Sequence, residues 1–203
     1  MDRLWDDLTS EELGKIQQLN TQIQYWQRKD LDTYLLMARA LIELLMGYIQ
    51  KNPDKRETYQ ELAVVTTYNM ASMSWSGWDE DGITVSDESK VLGLQAAELN
   101  VWIARELNLP PERRQNGLWI LAAQQVANGN VQAAKETFMD QLSVITNAGL
   151  SKGTLPKAWI AACNILDSSG SQADLDEALV RLGVDEEGNA QVGYLKTAMK
   201  VFV

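Results

Sequence analysis

Residues 95–97 read Gln95-Ala96-Ala97, and residues 128–138 read Asn128-Gly129-Asn130-Val131-Gln132-Ala133-Ala134-Lys135-Glu136-Thr137-Phe138. The Gln-Ala-Ala triplet returns after 37 positions (95 to 132), each time opening a stretch with helical periodicity. In the second copy Ala134 and Phe138, four apart, share one helical face. Asn128-Gly129-Asn130 ahead of it is a turn. A repeat of this length is that of stacked helix pairs, each too small to bury its own apolar face. The expected fold is therefore all-α, built from stacked antiparallel helix pairs. It forms one all-helical domain over 1–203, with a repeat-like core at about 54–148, N-terminal helices in 10–52 and C-terminal helices in 154–203.

Working outward, the other segments obey the same period. Thr9-Ser10-Glu11-Glu12 is a capping signature, followed by Leu13, Ile16, Leu19, Ile23 and Trp26 at steps of three and four. Leu31, Tyr34, Leu35, Ala38, Leu41, Leu45 and Tyr48 form the next stripe, capped by Asp30 or Asp32. No glycine or proline separates the two, so one long bent helix and two helices both fit. Leu36, Met37, Ile42 and Met46 on the far side suggest cover from several directions. Asp54 is placed to cap a third helix ending near Gly77, and Ser86 with Asp87-Glu88 to open a fourth. A fifth runs from about Pro111 to Asn128 and a sixth from Asn130. A seventh opens at Gly153-Thr154-Leu155-Pro156, an eighth covers Leu175 to Leu182, and a last one follows Gly188-Asn189. Ile83-Thr84-Val85 is too short for a meaningful strand, and Asp185-Glu186-Glu187-Gly188 reads as a polar turn.

Composition narrows the function. The net charge is -10, from 18 basic and 28 acidic side chains, which opposes binding to nucleic acid or anionic lipid. A basic protein partner and plain solubility remain as explanations of the charge. The acidic start, Met1 to Asp7, lacks a signal peptide's apolar core, and Leu35–Ile49 is interrupted by Arg39 and Glu43. With Cys163 as the only cysteine, a cytoplasmic location is expected, with no membrane association. There is no histidine, which excludes Ser-His-Asp and Cys-His catalysis and imidazole-ligated zinc. Neither a cofactor nor a metal is expected.

Residues Leu118 to Thr146 resemble a tetratricopeptide repeat. With Ala134 and Phe138 at that family's second-helix positions, its first-helix positions fall on Leu118, Leu121, Ala122 and Gln125. Leu121, Ala122, Ala134 and Phe138 agree, with Gly129 at the turn; Leu118, Gln125 and the closing Thr146 depart. In the preceding unit Ala97 matches the small position, Val101 stands at the aromatic one, and Pro110 comes one place late. The resemblance implies a right-handed superhelix and a groove that binds a protein or peptide.

The candidate binding site is the loop after the third helix, where Trp75 and Trp78 stand beside Asp79, Glu80 and Asp81. Ring faces and carboxylates together suit a cationic or peptide ligand. The alternative is that the tryptophans pin the loop while the acids face water. As a calcium loop the segment fails, because Gly77 occupies the first ligand place. Arg113-Arg114 suits a carboxylate or phosphate, or simple pairing with nearby acids. Cys163 reads as core, as do Trp26, Trp102, Trp119 and Trp159. No catalytic residue is assigned. The expected function is a non-catalytic protein- or peptide-binding module. The alternatives are an acidic inhibitor or immunity-type protein that masks a basic partner, and a carboxylate-based enzyme.

Overall fold

The computed structural model describes residues 8–151, 153–184 and 186–203, and these are all-helical, with no strand among them. The reading of Met1–Asp7 lies outside the described residues. Helix α1 (Ser10–Asn20) starts at the expected box: Glu12 N donates to Thr9 Oγ1 at 3.2 Å and Thr9 N to Glu12 Oε2 at 2.8 Å. The chain then widens into a π-helical stretch, Thr21–Gln27. Lys29, at φ 55°, breaks it, and Asp30 caps α2 (Leu31–Lys51) by accepting from Thr33 N at 3.0 Å. Two helices form, with Asp30 rather than Asp32 as the cap.

The far side of α2 is only partly covered. Ile42 is buried, but Leu36 is 70% and Met37 39% exposed. Asp54 makes no cap; it lies in a 3-10 turn, Pro53–Lys55, ahead of α3 (Arg56–Met73). That helix stops before Gly77 because the Ser74 hydroxyl donates back to Met70 O at 2.8 Å and the chain turns at Trp75. Helix α4 (Asp87–Glu106) is capped by Ser86, whose hydroxyl accepts from Ser89 N at 3.1 Å. Next come α5 (Pro111–Ala127) and α6 (Val131–Asn147), joined through Gly129 at φ 75°, a backbone state that favours glycine. Helices α7 (Thr154–Leu166), α8 (Gln172–Leu182) and α9 (Glu186–Phe202) complete the chain. The eighth begins ahead of Leu175 because Ser171 and Asp174 form a second capping box. Glu186 to Gly188 belong to the first turn of α9, so the polar turn expected there is helix.

From α2 to α9 each helix packs on the one before it, and α3 also touches α5. Two buried clusters result, bridged by Met46 and Leu99. The larger holds Ala97, Ala122, Ala134 and Phe138, all fully buried. Phe138 stacks on Trp159 with centroids 5.6 Å apart. Trp119 and Trp159 are core as expected, whereas Trp26 and Trp102 are 49% and 48% exposed.

Buried amides tie α3, α4 and α5 together. Asn100 Nδ2 donates to Val64 O at 2.7 Å, and Gln124 Nε2 to Ala71 O at 2.6 Å. Each amide lies against a glycine of the neighbouring helix. A Cβ on Gly93 would stand 2.5 Å from Gln124 Nε2, and one on Gly117 2.7 Å from Asn100 Oδ1. Glycine lets these backbones approach closely enough for the buried amides to reach carbonyls of α3 and so find partners in the core. Among the described residues no helix is long and apolar enough to cross a membrane.

Candidate binding cleft

The segment after α3 places its two tryptophans differently. Trp75 is 1% exposed: its Nε1 donates to Ala123 O at 2.9 Å, and its ring meets Trp119 and Trp159 at 5.6 and 5.8 Å. Gly77 has no Cβ to strike that ring; one would come within 2.6 Å of its Cε2. Trp75 is thus an internal anchor with no face for a ligand, which corrects its place in the candidate site. Trp78 is half-buried, with Nε1 donating to Ser72 O at 2.8 Å. Its ring stands edge-on to Trp75 at 4.8 Å and to Tyr194 of α9 at 5.4 Å.

The acids do not join these rings in one site. Asp79 takes a left-handed backbone, φ 49°, at the end of the 3-10 turn Ser76–Trp78, and its side chain is exposed, like that of Asp81. Glu80 is held by Lys29 Nζ at 2.8 Å, and Lys29 lies 5.4 Å from the Trp26 ring centroid. Of the five residues read from the sequence, Trp78 lines a cleft in whose described lining the other four do not appear.

That cavity is a cleft of about 300 Å³. Tyr68 of α3, Trp119 of α5, Leu155 of α7 and Tyr194 of α9 join Trp78 in its walls, with Gln115 and Gln141 beside them. Gln141 is fully buried and donates through Nε2 to Gln115 Oε1 at 2.9 Å. Its Oε1, and Trp119 Nε1, are buried without a hydrogen-bond partner among the described residues. Each such group carries a desolvation penalty of about 1–3 kcal/mol. Among the described lining residues there is one carboxylate, Glu187, and no lysine or arginine. The lining therefore suits a neutral or basic ligand with apolar surface, met by aromatic walls and amide groups.

Most of this cleft was missed by sequence reasoning. Tyr68 and Tyr194 gave no local cue, and Trp119 was assigned wholly to packing. The amides did leave one: Gln141 falls three residues after Phe138 and Gln115 three before Leu118, in phase with buried positions. A polar residue on a core face is informative, because burial without a partner is costly.

No group of three or more histidine, cysteine or acidic residues that could hold a metal occurs among the described residues. Cys163 is fully buried, and burial pushes its thiol up to about 12, with Asp167 adding and Lys135 opposing. The phenols follow the same physics. Burial, then Glu80, raises Tyr25 to about 12, and burial raises Tyr34 and Tyr68. For all four groups the folded state holds the proton more tightly than the unfolded chain, so stability falls as pH rises. The loss starts near the ordinary thiol and phenol values, 9.0 and 10.0, and continues to about 12. Urea midpoints should accordingly drop between about pH 8 and pH 10.5; equal midpoints would refute the assignment.

No protein family, curated protein or solved structure matches this chain.

Proposed function

We propose that this protein is a non-catalytic binding module of tetratricopeptide-like helix pairs, and that a protein or peptide segment seats in the cleft beside Trp78. One observation carries the reading: Tyr68, Trp119 and Leu155 of α3, α5 and α7 line one cavity, which Gln141 of α6, Leu182 of α8 and Tyr194 of α9 complete, so a single cleft runs across successive helices of the stack. Stacked helical repeats create extended concave surfaces to which successive helices contribute. The buried Ala-x-x-x-Phe register of α6 and the packing of each helix on its predecessor support the same architecture. Helix α9 then closes one side of the groove through Tyr194.

The test uses a library of blocked octapeptides, read by the tryptophan emission of the protein. Tyr194→Ala and Asn116→Ala alter an exposed ring and an exposed amide of the lining. Each should weaken peptide binding by about tenfold, a loss of roughly 1.4 kcal/mol, while melting stays near wild type. Trp78→Ala is a poorer probe, because Trp78 also packs on Trp75 and Trp119. Should no peptide bind, or should both variants bind like wild type, the reading fails. Salt dependence separates the rival reading: aromatic burial weakens little with salt, whereas steep loss by moderate salt would favour an acidic protein that masks a basic partner.

A further inference from the structure

The paired arginines at the start of α5 do different things. Arg113 forms an ion pair with Glu61 of α3. Arg114 instead lines a second cavity of about 200 Å³ bounded by α4, α5 and α6, where Arg105, Asp140, Val101, Leu118 and Val144 also lie. Neither Arg105 nor Arg114 has an ion-pair partner among the described residues, although the protein carries a surplus of ten negative charges and Asp140 shares the cavity. The Arg114 side chain is partly sunk, and its Nε is buried with no hydrogen-bond partner. A half-buried guanidinium that no carboxylate reaches within ion-pair distance is an expensive arrangement, relieved by an anion at its open edge.

We propose that this cavity binds a small aliphatic monocarboxylate. The planar guanidinium fork matches both oxygens of a carboxylate. Val101, Leu118 and Val144 give an alkyl stem an apolar wall. Asp140 adds one negative charge to the rim, which opposes the double charge of phosphate more than the single charge of an organic acid. The limited volume favours a free small acid over a folded partner. This site is separate from the cleft beside Trp78, so the two readings stand or fall independently.

The experiment titrates the full chain with 4-methylpentanoate, following valine and leucine methyl signals by NMR, with 4-methylpentanamide as the uncharged control. The acid should give saturable shifts at Val101 and Val144, and the amide none. Arg114→Gln should weaken binding about tenfold or more, with Arg105→Gln giving a loss in the same direction. Arg114→Lys keeps the charge and removes the fork; it should also bind more weakly, and it serves if the glutamine variant fails to fold. Inorganic phosphate should compete with the acid in Asp140→Asn but not in wild type. Equal shifts from acid and amide, unchanged affinity in both Arg114 variants, or phosphate competing in wild type would each overturn the proposal. A peptide ending in leucine that shifts these methyls while the free acid does not would also overturn it, pointing to a chain terminus as the ligand.

Discussion

Cutting Trp75 back to alanine should lower stability by about 3–5 kcal/mol. The indole is 1% exposed, bonded to Ala123 O, and touched by three other tryptophan rings and Phe202. It joins the end of α3 to α5, α7 and α9, so its loss opens a cavity that no single helix can close by moving. Urea denaturation of the variant checks this. A change under about 1 kcal/mol, of the size expected for surface substitutions, would mean that Trp75 is not the anchor described.

Phe138→Ala should be nearly as damaging, at about 3–5 kcal/mol. Phe138 is fully buried and stacked on Trp159 with an interplanar angle of 13°. Because the two rings touch, their truncations should be non-additive, with a coupling of at least about 0.5 kcal/mol in a double-mutant cycle. A loss well below 1 kcal/mol for Phe138→Ala, less than core truncation gives, would remove the register on which the repeat reading rests. Strict additivity would refute the stacked contact.

Helix starts were the most legible part of this chain, because local chemistry makes them. Thr9, Ser86 and the turn at Gly129 each work through neighbours within four residues, and all three stand where the pattern put them. The break before α2 was not legible: Lys29 adopts a left-handed backbone that lysine seldom takes, beside a π-helical stretch without a sequence signature. Nor was the exposure of Trp26 and Leu36, since periodicity marks an apolar face without saying whether another helix covers it. The candidate site failed for a related reason. Adjacent letters, Trp75 to Asp81, were read as one patch, but Trp75 packs inward, Glu80 goes to Lys29, and Trp78 finds its neighbours at Trp119 and Tyr194. Partners that distant in sequence are set by how the helices stack, which no local pattern encodes.

The crowding of Trp75, Trp78, Trp119 and Trp159, with centroid separations of 4.8 to 5.9 Å among the touching pairs, has an optical outcome. Transition dipoles held this close in fixed, non-parallel orientations behave as a coupled chromophore. They should give the native protein intense near-ultraviolet dichroism and let excitation hop between rings before it is emitted. Trp26 and Trp102, 49% and 48% exposed, should emit further to the red than the buried rings. For the tryptophans of the described residues, the blue and red parts of the emission should thus report on the interior and the exterior, without any attached dye.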